Sequence, residues 1–160
     1  MTDNLKLEFT RLIEQNRGII FKVLRLYVSR GEDERDLYQE IVFQAWKSFP
    51  RFAGQCKFST WLYKVSLNTV LTFKRRPVLV ETREVLESKE VVTNEKQEES
   101  EMLYYAIRGL NEIDRMIITL HLDGYDNDEI AEVSGLTKNH VAVKLHRVKE
   151  GLIEKMKKLI

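Results

Sequence analysis

Apolar residues recur along this chain at spacings of three and four, the period of a helix that buries one face. Leu5, Phe9, Leu12 and Ile13 fit one such face, and Ile19, Ile20, Val23, Leu24 and Tyr27 fit a second. RGEDER at 30–35 is a polar break, and Asp33 or Asp36 can start a third helix that reads through to Phe49. PRFAGQC, with Pro50 and Gly54, reads as a loop. A fourth helix runs from about Lys57 to Arg76, where Pro77 stops it. Periodicity then weakens, and helices resume at about Glu101. Asn111 can cap a helix reaching about Asp123, with Gly124 ending it. Asp126, with Glu129 three residues later, has the pattern of a capping box, and Gly135 ends that short helix. The last helix starts near Lys138 and continues almost to the end. The pattern predicts an all-α chain: two small helical domains, residues 1–78 and 101–160, joined by an acidic linker at 79–100.

Composition narrows the class. The chain has 160 residues, 43% of them hydrophobic and 32% charged, as in a globular protein with a real core. Cys56 is the lone cysteine, which excludes a disulfide framework and a cysteine-based zinc site. The start, MTDNLKLEFTRLIEQ, lacks the apolar core of a signal peptide, and no run approaches the length of a membrane span. A cytoplasmic protein without membrane insertion is expected.

Charge changes the picture more. The formal net charge is only +1, yet residues 41–80 hold seven Lys or Arg and no acid. Residues 81–101 carry three basic and eight acidic side chains, and residues 137–160 carry seven and two. Two basic blocks separated by an acidic one suit two contacts with a polyanion, namely nucleic acid.

Three segments carry candidate chemistry. In DLYQEIVFQAWKSF, residues 36–49, the core face is Leu37, Tyr38, Ile41, Val42, Ala45, Trp46 and Phe49. Asp36, Gln39, Glu40, Gln44 and Lys47 lie opposite, with Phe43 among them. Single exposed apolar residues are common. An aromatic within a polar, partly acidic face also suits a protein–protein anchor, with Asp36 and Glu40 meeting basic groups.

In KFSTWLYKVSLNTVLTFKRR, residues 57–76, the buried stripe is expected to be Phe58, Leu62, Val65 and Thr69. Lys57, Lys64, Asn68 and Arg75 project within about 40° of one another at helical pitch, away from that stripe. Trp61 lies at the border. Cations can meet phosphates, an amide can read a base edge, and a flat aromatic can stack on an unpaired base. A solvated basic face is the plainer alternative.

In DNDEIAEVSGLTKNHVAVKLHRVKEGL, residues 126–152, Ile130, Ala131, Gly135, Leu136, Val141 and Leu145 have helix-turn-helix spacing. The core stripe of its second helix is Val141, Leu145, Val148 and Leu152. Lys138, Asn139, His140, Ala142, Val143 and His146 are then candidates to face a major groove, with Lys144 and Arg147 available for phosphates. The three histidines, His121, His140 and His146, form no metal set and adjoin no nucleophile pattern, and no Gly-rich phosphate loop is present. No enzyme, metal or cofactor is indicated.

In this order, the segments resemble the extracytoplasmic-function sigma factors, a group of the bacterial sigma-70 family. DLYQEIVFQAW is similar to the core-binding helix of region 2. KFSTWLYKVSLNTVLTFKRR is similar to its melting and −10 recognition helix. NDEIAEVSGLTKNHVAVKLHRVKEGL is similar to the region 4 helix-turn-helix that reads the −35 element. The resemblance implies that Asp36, Gln39, Glu40 and Phe43 meet the clamp helices of the polymerase β′ subunit. It implies that the loop from Arg51 and Phe52 to Lys57 holds a flipped base. Trp61, Lys64 and Asn68 would support the melted strand, with Arg75 and Arg76 on the adjacent duplex. The second domain would also meet the β flap, and the linker would thread the polymerase. An anti-sigma factor would be a further partner of a chain that is monomeric when free. The family usually has Phe at the position of Val42, an acid at Thr72, a basic residue near Leu67, and often Lys at Ala142; these departures bear on the promoter sequences preferred. Read without the resemblance, the residues also fit a stand-alone helix-turn-helix regulator or a helical interaction protein.

Overall fold

The structure is a computed structural model and describes residues 2–28, 32–54, 56–75 and 95–159. Every regular element among them is a helix: α1 Thr2–Gln15, α2 Arg17–Tyr27, α3 Glu32–Phe52, α4 Phe58–Arg75, α5 Glu95–Arg108, α6 Glu112–Leu122, α7 Asn127–Ser134 and α8 Lys138–Leu159. The chain divides into two compact units, Met1–Val85 and Leu86–Ile160. Most of the acidic stretch, at 76–94, lies outside the described residues.

In the first unit, α4 packs against both α2 and α3, and α1 lies on α3. Ile20, Val23, Leu24 and Tyr27 of α2 and Leu37, Ile41, Ala45 and Phe49 of α3 are all buried where the two helices pack. Leu62, Tyr63, Leu67 and Val70 of α4 complete the core, and Phe9 and Ile13 of α1 cover it. The stripe expected on α4 is displaced. Of Phe58, Leu62, Val65 and Thr69, only Leu62 is buried; the others are half-buried. The buried arc is centred roughly 100° further round, through Tyr63, Ser66, Leu67 and Val70. A helix clasped by two neighbours buries a wide arc, and a small Ser66 fits inside it as readily as a leucine.

The third helix also departs from expectation. It begins at Glu32, inside the expected polar break, and runs through Pro50 to Phe52. A proline removes one N–H and so weakens a helix. Here it falls in the last turn, where Phe52 stacks on Phe49 at 6.2 Å and 14° and packs on Phe58 and Trp61. The chain then leaves the helix through two left-handed residues, Ala53 at φ 47° and Gly54 at φ 68°.

The second unit is built on α8, against which α5, α6 and α7 all pack. Its core joins Ile107, Ile117, Leu120 and Ile130 to Val141, Leu145, Val148 and Leu152. The fifth helix starts at Glu95 rather than near Glu101. Glu, Lys and Gln are strong helix formers, so a segment without an apolar stripe still continues the helix. Arg115 binds α6 to the end of α5: its Nη2 donates to the carbonyls of Arg108 at 2.9 Å and Leu110 at 3.0 Å.

The caps follow the sequence closely. Asn111 Oδ1 accepts from the Asp114 N–H at 2.9 Å and opens α6. Asp126 Oδ1 accepts from the Glu129 N–H at 2.9 Å, while Glu129 Oε1 accepts from the Asp126 N–H at 3.3 Å. Asp126→Ala is therefore expected to lower the stability of the second unit by about 1 kcal/mol. Urea unfolding followed by circular dichroism would show a lower midpoint at unchanged slope. An unmoved midpoint would remove the capping box from the account.

Candidate functional site

Three surfaces gather the candidate residues, two on the first unit and one on the second. On α3, Asp36 and Gln39 are exposed, Glu40 is half-buried, and Phe43 is 52% exposed. The Lys47 ammonium lies 5.4 Å from the centre of the Phe43 ring. Gln44 Nε2 donates to Glu40 Oε1 at 2.9 Å, which holds that carboxylate along the helix. Phe43 stands on the rim of a groove of about 450 Å³ between α1 and α3, lined by Lys6, Phe9, Thr10, Tyr38, Gln39, Val42 and Trp46. Tyr38, Val42 and Trp46, expected in the core, are only half-buried. Tyr38 stacks on Phe21 of α2 at 5.1 Å, and Phe21 is itself exposed. Sequence reading missed Lys6, Thr10 and Phe21. Nothing in their own helices separates them from ordinary surface; only the packing of α1 and α2 beside α3 brings them to this face.

The second surface is the outer side of α4. Lys57, Lys64 and Asn68 are all exposed there, as is Arg51 at the end of α3. Arg75 is the last residue of α4, and Arg76 lies outside the described residues. Trp61 is not alone at the edge of the row. Its ring lies 5.3 Å from Phe58, 5.2 Å from Phe52 and 6.1 Å from Phe49. The cluster joins the end of α3 to the start of α4, so Phe52 and Trp61 both help to fix the short loop that carries Gly54 and Cys56.

The third surface is the helix-turn-helix. Gly135, at φ 77°, ends α7, and its N–H donates to the Ala131 carbonyl at 2.9 Å. Thr137 then opens α8: Thr137 Oγ1 accepts from the His140 N–H at 3.1 Å. Thr137 is a further residue that sequence reading passed over, although a threonine just before an amphipathic run is a capping signal. Ile130 and Val141, fully buried, hold the two helices together. Lys138, Asn139, His140, Ala142, Val143, His146 and Arg147 are exposed. Exposed Ala142 and Val143 beside Asn139 suit a groove that offers thymine methyls and adenine edges.

The cations on this helix are not equally available. Lys144, expected to be free for phosphates, is half-buried with its Nζ 3.7 Å from Asp114 Oδ1. Lys138 Nζ meets Asp128 Oδ2 at 3.3 Å, with both side chains mostly exposed. His146 Nε2 lies 3.3 Å from Glu150 Oε1. His121, on α6, is half-buried; desolvation and then the nearby Lys149 charge hold its pKa below the usual histidine value. Among the described residues, no group of three or more His, Cys, Asp or Glu is placed to hold a metal ion, and no helix is long and apolar enough to cross a membrane.

A basic, aromatic-edged helix in one all-α unit and a helix-turn-helix in another define a DNA-binding protein of two helical modules. The sigma-70 region 2 family model matches residues 12–77, and the sigma-70 region 4 model matches residues 100–152. Similar proteins include the ECF RNA polymerase sigma-E factor of Haemophilus influenzae, 28% identical over 97% of this chain and 90% of the relative. The Escherichia coli sigma-E factor is 29% identical over 95% and 88%. The fold is shared with CnrH, solved in complex with the cytosolic domain of CnrY, at a TM-score of 0.70 and 18% identity over 96% of this chain and 90% of that one. It is shared too with the sigma factor RpoE of Bartonella quintana, solved with the anti-sigma factor NepR, at 0.67 and 18% over 96% and 97%. The chain belongs to the extracytoplasmic-function group of the sigma-70 family, initiation factors that bind RNA polymerase and direct it to promoters.

Proposed function

We propose that residues 1–78, within the first unit, bind core polymerase and open the −10 element, and that residues 101–160 read the −35 element. Residues 79–100 would form the connecting linker. Polymerase contact falls to Asp36, Gln39, Glu40 and Phe43, against the β′ clamp helices. The groove beside Phe43 extends this surface to Lys6 and Thr10 of α1. A mixed rim around an exposed aromatic has the make-up of a hot spot.

The observation that carries promoter opening is the exposed row Lys57, Lys64 and Asn68, the first just before α4 and the others on it, on the side away from the core. The helix holds Lys64 and Asn68 at fixed spacing along a strand, and the sequence from 41 to 80 contains no acid to repel phosphate. Arg51 and Phe52 border the loop that would hold a flipped base; Trp61, braced by Phe52 and Phe58, would stack at its mouth. Arg75 and Arg76 would follow the adjacent duplex. On α8, Asn139, Ala142, Val143 and His146 would face bases, with Lys138, His140 and Arg147 near phosphates. Lys144 would act first through Asp114.

The factor carries out no catalysis of its own in this reading and works in the cytoplasm, as a monomer when free. Exposed Ile113, Leu122 and Ile153 offer the second unit apolar surface for the β flap. An anti-sigma factor is the further partner, by analogy with the complex of the Bartonella quintana protein.

Holoenzyme carrying Lys64→Ala with Asn68→Ala is expected to bind core polymerase normally and to lose permanganate-reactive thymines at its promoter by tenfold or more, an estimate from two lost strand contacts. Normal strand opening by that holoenzyme would exclude the α4 row from melting.

A further inference from the structure

Lys138 and Lys144 lie on the two borders between the buried stripe of α8 and its outer face, about 120° apart around the helix. Each is paired with a carboxylate from a different neighbouring helix, Asp128 of α7 and Asp114 of α6. The two pairs differ in kind. Asp114 is anchored: its Oδ2 accepts from Asn111 Nδ2 at 3.0 Å, and its side chain and that of Lys144 are 23% and 30% exposed. Asp128 and Lys138 are 71% and 63% exposed and meet at 3.3 Å. The first pair is a brace between helices. The second is an ion pair in water that a phosphate can displace.

We propose that Asp128 is a specificity-determining residue, a carboxylate that competes with DNA phosphate for Lys138 and so lowers the sequence-independent affinity of α8. The inference rests on the reading that α8 faces DNA. Sequence-independent binding comes from phosphate contacts and the counterions they release. While Lys138 stays with Asp128 it neutralises no phosphate and releases no counterion from the DNA. Leaving the carboxylate costs the ion pair, which offsets the phosphate contact, so that lysine adds little to binding on any sequence. Base contacts from Asn139, Ala142 and Val143 involve no such exchange. The ratio of specific to non-specific binding therefore rises.

The test is binding of the full chain to a fluorescent duplex of random sequence, by anisotropy over a range of salt. Asp128→Asn is expected to tighten binding about two- to fivefold at low salt, the worth of an exposed ion pair. It should also steepen the plot of log affinity against log salt by about 0.9, the release from one phosphate contact. Both gains should vanish in Asp128→Asn with Lys138→Ala. Asp114→Asn should lower the melting temperature and leave the salt slope unchanged.

An unchanged slope in Asp128→Asn overturns the proposal. So does an equal gain when Lys138 is already alanine, because the acid would then act by general repulsion. Arg147→Ala separates the underlying reading from the inference. If Arg147→Ala weakens binding while Asp128→Asn changes nothing, α8 faces DNA and the competition does not exist. If Arg147→Ala also has no effect, the DNA-facing reading falls and takes the proposal with it.

Discussion

Phe43→Ala is expected to weaken binding of the chain to its host's core polymerase by about thirtyfold or more, the effect of losing a hot-spot aromatic of some 2 kcal/mol. The ring is 52% exposed and lies outside the buried core. It stands at the edge of a groove, where a partner side chain can be desolvated on both faces. Free Phe43→Ala should therefore melt as the parent does, since surface changes of this kind stay within about 0.5 kcal/mol. Asp36→Ala should have a milder effect, mainly on the association rate and its salt dependence, as rim charges do. Gel filtration with core polymerase, followed by competition against the parent chain, measures both. Undiminished binding by Phe43→Ala would take the α3 surface out of the polymerase contact.

Leu62→Ala is expected to have the largest effect on stability. Leu62 is fully buried where α4 meets α2 and α3, and removing three buried carbons from such a site costs about 2–5 kcal/mol. That is a large part of the 5–15 kcal/mol typical of a whole domain. Both tryptophans, Trp46 and Trp61, lie in the first unit, so their fluorescence in urea follows that unit alone. The midpoint should fall steeply for Leu62→Ala and barely move for Lys64→Ala. Both variants should impair promoter opening, the first by unfolding the scaffold and the second with the scaffold intact. If Lys64→Ala unfolds the unit as readily, the exposed row is structural and its assignment to DNA fails.

Legibility in the sequence varied with how local the physics was. The capping box at Asp126, the left-handed Gly135 and the stripe Val141, Leu145, Val148 and Leu152 all follow from short-range rules, and all are present. The wide buried arc of α4 was not legible, because periodicity assumes one neighbour and α4 has two. Pro50 looked like a stop, yet α3 passes through it because Phe52 finds three aromatic partners on folding. The candidate cations divided in the same way. Charge blocks were visible as sequence, but no count of lysines distinguishes Lys144, braced by Asp114, from Arg147, which is exposed.

By itself the sequence determined the helical class, most helix ends, the acid-free block and the exposed aromatic at Phe43. Those depend on residues within a turn or two of one another, where backbone geometry, capping and charge are local. Only the tertiary structure decided which face of α4 is buried, that α1 builds one wall of the groove at Phe43, and which acids reach Lys138 and Lys144. Those depend on side chains far apart in sequence meeting across helix–helix contacts, and such contacts form only where burial of the whole core outweighs the local preference of any one helix.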